Sequence, residues 1–176
     1  MTLFRLLLPT LAALALGACS ATLQSTPGVA LDRTQSWVLL PLVNNTETAQ
    51  AALSAEAMLE PLLQAQGIHD LKIYPNTVVQ DSLFEPTERK VVDEALRWAK
   101  AQGARYGLSG SVQEWRYKAG IDGEPVVGVT LRVIDLASGN VLWSVTGSQS
   151  GWGRDALSGT AQTLLTQMLA RMPAGQ

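Results

Sequence analysis

Cysteine and histidine are almost absent from this 176-residue chain, which contains one residue of each. A single cysteine cannot form a disulfide within the chain, and a lone cysteine and histidine cannot supply a thiolate or imidazole metal site. Charge is also scarce, because charged residues make up 16% of the chain and the formal net charge is −2. No basic patch is visible in the sequence, so nucleic-acid binding has little support.

Motifs of the common enzyme classes are missing as well. The sequence has no glycine-rich phosphate loop and no Gly-x-Ser-x-Gly motif. His69 lies in a predicted turn and is expected at the surface. Asp93 and Glu94 are adjacent on a predicted helix, so they point about 100° apart and cannot act as an acid–base pair. Ser109 and Ser111 have no evident base, and we expect neither enzymatic activity nor a cofactor.

The first 20 residues predict an exported lipoprotein. Arg5 precedes an apolar run over residues 6–18, which is shorter than the roughly 20 residues that a membrane-spanning helix needs. The run ends in Leu16-Gly17-Ala18-Cys19, which resembles the lipobox of bacterial lipoproteins. We therefore expect residues 1–18 to be a signal peptide and Cys19 to carry diacylglycerol and an N-acyl chain. Two acyl chains already anchor a protein stably.

The segment after the cysteine is polar, and residues 19–35 are interpreted as the acylated cysteine and a tether. Sixteen extended residues from 20 to 35 could reach about 50 Å. Ser20 follows the cysteine where an aspartate often favours the inner membrane, so the outer membrane is the expected location. Residues 36–172 remain as a single domain, and the 47% apolar content of the chain predicts a packed core.

Hydrophobic periodicity predicts an α/β domain with the order βαβαβββα. Strands are expected over residues 37–43, 71–74, 106–117, 126–134 and 140–148, and helices over 48–66, 86–102 and 155–172. The prediction is a mixed sheet of about five strands covered by three helices. Pro41 and the pair Gln113-Glu114 are expected to interrupt strand pairing. Pro61 is expected to kink or split the first helix.

Turn residues connect these elements. Asn44-Asn45-Thr46 is interpreted as a turn and helix cap. Ser138-Gly139-Asn140 and Asp122-Gly123 are interpreted as hairpin turns. An Asp-Gly turn is usually only a solvated loop, so it has no functional specificity by itself.

Trp152 is the tryptophan that a soluble core explains least. Trp37, Trp98 and Trp143 lie in or beside apolar patterns and are expected in the core. Trp152 lies between two glycines in a polar loop, and tryptophan favours the membrane interface. A loop tryptophan folded back onto the core is an equally good interpretation of the sequence.

Several segments together resemble the PelC family, the outer-membrane lipoproteins of Pel exopolysaccharide export. The more specific segments are residues 110–118 (GSVQEWRYK), 120–125 (GIDGEP) and 127–131 (VGVTL), and residues 37–48, 83–86 and 139–144 also fit. Residues 40–45 (LPLVNN) and 138–144 (SGNVLWS) are shared more loosely with envelope lipoproteins of the CsgG and TolB amino-terminal type, which implies a similar fold.

The resemblance implies a non-enzymatic ring, dodecameric in the family, on the periplasmic face of the outer membrane around the exit channel of PelB. The ring would guide a cationic polysaccharide to the pore. The acidic mouth of the family's funnel corresponds to Asp122, with Glu124 as an acidic neighbour that we add. The membrane-inserting aromatic residue of the family corresponds to Trp152.

Other functions stay open at the level of the sequence. A monomeric lipoprotein on a similar α/β domain could activate a cell-wall synthase through a protein contact. A secretion channel subunit of the CsgG type would need long alternating strands to cross the membrane, and no insertion of that size is evident. A hydrolase is the most distant alternative.

Overall fold

The computed structural model describes residues 21–75, 88–120 and 123–175. Within these ranges the strands are β1 (Thr22–Ser25), β2 (Trp37–Asn44), β3 (Leu71–Ile73), β4 (Tyr106–Tyr117), β5 (Pro125–Asp135) and β6 (Val141–Ser150), and the helices are α1 (Ala51–Ala65), α2 (Glu88–Ala101) and α3 (Leu157–Leu169). The strands form one sheet in the order β1-β6-β5-β4-β2-β3. Strand β2 pairs in parallel with β3 and β4, and the other neighbours are antiparallel. The predicted mixed α/β fold is confirmed, with one strand more than expected.

The main core lies on one face of the sheet, beneath α1 and α3. Trp37 and Trp143 are 0% and 1% exposed there, and the aliphatic side chains of β4, β5 and β6 alternate onto the same face. A smaller cluster on the other face joins α2 to Val38, Leu40 and Leu136, with Trp98 half-buried against it. The core positions expected for these three tryptophans are confirmed.

A bulge at Pro41 is stabilised by a buried acid. The pairing of β2 with β4 shifts between Leu39 and Leu42, as predicted, because Pro41 has no N–H to donate. The N–H of Leu42 donates instead to Oε1 of Glu56 at 2.7 Å. Glu56 extends from α1 and is 8% exposed, so helix and strand are joined at the bulge by a buried hydrogen bond.

The expectation of a free tether over residues 20–35 is wrong for most of its length. Thr22–Ser25 pairs with β6 as an edge strand, and Leu31 is fully buried. The N–H of Leu31 donates to the carbonyl of Pro173, and the N–H of Gly175 donates to the carbonyl of Leu31. An edge strand with one open face needs few apolar residues, so its polar composition resembles that of a linker.

The first helix differs from its prediction at both ends and at its proline. It begins at Ala51 rather than 48, after Gln50, which has a φ of 61° and makes no side-chain cap. Asn44 organises the preceding turn by accepting hydrogen bonds from Thr46 and donating to the carbonyl of Thr48. Pro61 lies inside the helix without splitting it. Pro61 is on the exposed side of the helix, and Leu59 and Leu63 stay buried on either side of it. The burial of these two leucines outweighs the loss of the backbone hydrogen bond that proline cannot donate.

The predicted bulge of β4 and the turn between β5 and β6 are confirmed, whereas Asp122 of the predicted Asp122-Gly123 turn lies outside the described residues. The register of β4 against β5 shifts between Val112 and Glu114, at the expected bulge. The turn between β5 and β6 is held by Asp135, whose Oδ1 accepts the N–H groups of Ala137 and Ser138. The loop expected over 76–85 and the start of the second helix at Pro86 lie outside the described residues.

Replacing Glu56 with leucine should destabilise the domain by about 1–3 kcal/mol, because the buried N–H of Leu42 loses its acceptor. Urea unfolding of Glu56→Leu against the parent protein measures this difference. Glu60→Leu is the control, since Glu60 is a half-exposed glutamate on the same helix. Equal effects of the two substitutions would contradict the role of the buried bond.

Asp135 should stabilise the domain in a pH-dependent way. Backbone hydrogen bonds from Ser138 and Ala137 and the ion pair with Arg105 at 2.8 Å lower the pKa of this carboxyl, against a smaller opposing effect of burial. A lowered native pKa gives stability that is present above the unfolded value of about 3.9 and is lost as pH falls through the native value. The melting temperature of Asp135→Asn should therefore lie below that of the parent at pH 7 and converge with it in acid. A gap that is the same at pH 7 and pH 2 would contradict this.

Candidate functional site

Three parts of the chain meet at one end of the sheet, which we call the Trp152 end. They are the start of β1, the β4–β5 hairpin and the loop after β6. Thr22 is paired with Ser148 near the end of β6. The N–H of Lys118 donates to the carbonyl of Glu124 at 2.8 Å, and the N–H of Gly151 donates to the carbonyl of Pro125 at 2.9 Å. Glu124 and Trp152, two of the positions singled out in the sequence, therefore lie at the same end of the sheet.

The loop at Trp152 has a fixed backbone and an outward side chain. The N–H of Trp152 donates to Oδ2 of Asp155 at 2.7 Å, and the N–H of Asp155 donates to the carbonyl of Trp152 at 2.9 Å. A Cβ on Gly151 would lie 2.7 Å from Oγ1 of Thr160 and 2.8 Å from Cγ of Pro125, so any other residue here would have to displace these side chains. The Trp152 side chain is 59% exposed. Of the two interpretations of the sequence, the loop tryptophan folded onto the core is excluded.

Tyr117 is a second exposed aromatic residue at this end, and the sequence analysis did not identify it. It is 51% exposed, and its hydroxyl accepts the N–H of Leu157 at 3.0 Å, at the start of α3. Tyr117 has the same phase as the buried Trp115, so periodicity alone gave both the same environment. Its position as the last residue of β4 is the feature that could have indicated exposure, because α3 begins there and does not extend beyond the strand end.

The two acids of the hairpin differ in their surroundings. Oε2 of Glu124 lies 2.9 Å from Nζ of Lys118, and both side chains are about 40% exposed. This surface ion pair contributes little stability, but it balances the charge of Glu124. Asp122 lies outside the described residues. Residues 118–124 contain one lysine and these two acids, so the hairpin has a formal charge of −1.

The expected acylation position lies close to the same end. Cys19 is outside the described residues, but Ala21 is the first residue that the structure describes and directly precedes β1. Two residues span at most about 7 Å. Cys19 is therefore only a few residues from the sheet. A free tether would instead allow a separation of roughly 50 Å.

The residues considered for catalysis lie at separate places in the described part of the chain. His69 is exposed at a turn, as expected. Oγ of Ser111 accepts a hydrogen bond from Nε2 of Gln113 at 2.8 Å, and no base lies beside it among the contacts found. Among residues 21–75, 88–120 and 123–175, no group of three or more His, Cys, Asp or Glu side chains could hold a metal ion. None of the helices in these ranges is long and apolar enough to cross a membrane.

Comparison with known proteins places this geometry in a family. No protein-family model and no curated protein sequence matches the chain. Among solved structures, the PelC dodecamer of Paraburkholderia phytofirmans is 42% identical, with 89% of this chain and 100% of that chain covered and a TM-score of 0.75. A dodecameric single-residue variant of that protein has the same identity and coverage with a TM-score of 0.76.

A protein of much lower sequence identity has the same fold. Lipoprotein GNA1162 of Neisseria meningitidis is 17% identical, with 78% of this chain and 96% of that chain covered and a TM-score of 0.56. At that identity the likeness concerns the fold alone. The Paraburkholderia protein is 42% identical over 89% of this chain, and the chain belongs to the PelC family.

Proposed function

We propose that this chain is a lipoprotein anchored through Cys19 in the outer membrane, facing the periplasm, where twelve copies form a ring that guides a cationic exopolysaccharide to an export channel. The observation that carries the proposal is the convergence at the Trp152 end. The exposed indole, the hairpin with the acidic turn and the route to Cys19 all lie at the same end of the sheet. The proposal assigns no catalytic residue.

Membrane seating is supported by the chemistry of this end. Trp152 and Tyr117 are both more than half exposed and both have a polar atom at the end of an apolar ring, which suits the membrane interface. Acyl chains on Cys19 would insert within a few residues of β1. Lipid and aromatic side chains would then contact the same bilayer surface without a long linker between them.

Guidance of a cationic polymer is supported by the weak negative charge of the hairpin, which a ring would repeat once in every subunit. A single hairpin with a formal charge of −1 attracts little at physiological salt, where the screening length is about 8 Å. Twelve such hairpins around a confined opening would focus the field on the passing polymer. A field built from single charges attracts a moving chain without holding it tightly. The Paraburkholderia relative is a dodecamer, which supports the subunit number used here. The channel partner, PelB, and the polymer rest on the family resemblance.

Replacing Asp122 with asparagine should sharply reduce polysaccharide secretion, because the hairpin then has no net charge. Secreted polymer is measured by a carbohydrate-binding lectin in cells that carry the variant. The double variant Lys118→Gln/Glu124→Gln is the matched control, since it removes the ion pair but keeps the net charge of −1. Normal secretion by Asp122→Asn, at normal protein levels in the outer membrane, would contradict the guiding role.

Replacing Trp152 with alanine should weaken membrane binding without unfolding the domain. Burial of one aromatic side chain is worth about 1.5–3 kcal/mol, so liposome affinity should fall roughly tenfold or more. Flotation of the non-acylated chain from Ala21 onward with phospholipid liposomes measures the effect, because acyl chains would mask it.

Val141→Ala is the control for this experiment, because Val141 is 53% exposed at the opposite end of β6. It should bind liposomes like the parent. Equal binding by the parent protein and Trp152→Ala would exclude Trp152 from the membrane contact.

A further inference from the structure

The second face of the sheet is a broad polar surface over β1, β6, β5 and β4, which we call the open face. Cross-strand register places its side chains in rows: Ser111, Thr130, Thr146 and Gln24 form one row, and Ser109, Arg132, Ser144 and Thr26 form the next. The hydroxyls bond to one another, with Oγ1 of Thr130 and Oγ1 of Thr146 3.0 Å apart and Nε2 of Gln113 donating to Oγ1 of Thr130 at 3.0 Å.

No helix in the described ranges covers the open face. Helix α2 lies on this side of the sheet but packs against β2, with Val38 and Leu40 beneath it. Charge on the open face is sparse. Arg132 lies in the second row, and Glu114 and Arg116 lie 3.3 Å apart beyond the first row. At the β1 edge, Arg171 lines a hollow of about 560 Å³ together with Gln24, Thr26, Ser144 and Thr146. The first row itself is neutral and consists of hydroxyl and amide side chains.

The outer surface of α3, on the opposite side of the domain, is also free of charge. Its 13 residues include no acid and no base. The exposed side chains are Ser158, Gln162, Thr163, Thr166 and Gln167. By contrast, α2 exposes Lys90, Asp93, Glu94, Arg97 and Lys100, as a solvated helix usually does. Depletion of charge is typical of the centre of a protein interface.

A hollow beside the start of α3 contains an acceptor without a hydrogen bond. It has a volume of about 300 Å³ and is lined by Gln149, Asp155, Gly159 and Thr163 among others. Oε1 of Gln149 is buried and has no hydrogen-bond partner among the described residues. A hydroxyl side chain entering from outside could donate to it, and the open face consists of such side chains.

We infer that the open face of one subunit packs against the outer surface of α3 in the next copy, so that subunits stack face to back around the ring. This inference rests on the ring in the proposed function and adds the surfaces that form it. A closed ring of more than two subunits needs two different complementary patches on each copy. The open face and α3 are such a pair, since the open face has few charged side chains, α3 has none, and the two lie on opposite sides of the sheet.

The size of the open face fits a stable contact. Four strands at about 4.8 Å spacing and some 30 Å of length give roughly 600 Å², close to the roughly 800 Å² that each partner contributes to a standard interface. Pairing through the sheet edges is a poor alternative, because the edge strands β1 and β3 have four and three residues.

Face-to-back stacking also leaves the Trp152 end available. The contact runs across the sheet, so the ends of the strands stay outside it in every subunit. All Trp152 side chains and all routes to Cys19 can then point to one side of the ring. A cationic polymer is a poorer occupant of the open face, because the described surface there presents neither a row of acids nor an exposed aromatic ring for a sugar to stack on.

Cysteine cross-linking tests this contact, because the only native cysteine is the acylated Cys19. Thr146→Cys on the open face is combined with Gln162→Cys or, one turn along, Thr166→Cys on α3, in the full-length lipoprotein extracted from membranes. A short bismaleimide should produce a ladder of covalent oligomers from a double variant. Each single variant should stay uncrosslinked, since a face-to-back contact never brings two copies of one position together. The parent protein reports any reaction at Cys19.

Each outcome is decisive when the mass of the parent protein is measured by light scattering. A dodecameric mass with a ladder from either double variant supports the inference. A dodecameric mass without a ladder from both double variants, or with a dimer from Thr146→Cys alone, overturns face-to-back packing and leaves the proposed ring intact. A monomeric parent overturns the ring itself, and the stacking with it.

Discussion

Four paired residues at the edge of the sheet determine how far this domain lies from Cys19. The backbone of Thr22–Ser25 is bound to β6, and Leu31 is buried against the last residues of the chain. Without this pairing, the domain could swing on a linker of about 50 Å. With it, the acyl chains that we propose on Cys19 would enter the membrane next to the Trp152 loop. In that proposal, the orientation of the whole domain on the membrane follows from this local constraint.

The rest of the Trp152 end is arranged around rigid backbone. Asp155 holds the loop through two hydrogen bonds, Gly151 permits its close approach to α3, and Tyr117 joins the hairpin to the start of the same helix. An aromatic side chain on a fixed loop loses little conformational entropy when it enters the bilayer. The nearby ion pair of Glu124 with Lys118 leaves Asp122 as the source of the hairpin's net charge. Anchoring and guidance are thus assigned to neighbouring but separate residues.

Much of the fold followed from local patterns. Proline at position 41 and the phase change at Gln113-Glu114 predicted both interruptions of strand pairing, because each has a direct backbone cause. The sequence did not decide whether Trp152 is exposed or folded onto the core, because its exposure depends on how Gly151 packs against α3. Strand β1 escaped prediction because a polar edge strand and a polar linker have the same composition. The bond from Leu42 to Glu56 depends on tertiary packing, and no local signal indicated it. The role of Asp122 came from resemblance to a family, not from the hairpin sequence.

In the proposed function, the Trp152 end of the sheet faces the outer membrane in every subunit of a closed ring. Electron cryo-microscopy of the acylated protein reconstituted in liposomes tests it most directly. We expect rings of twelve subunits whose β4–β5 hairpins and Trp152 loops lie on the bilayer side, with the β5–β6 turns pointing away from it. Rings with the opposite orientation, or single subunits scattered on the membrane, would contradict it.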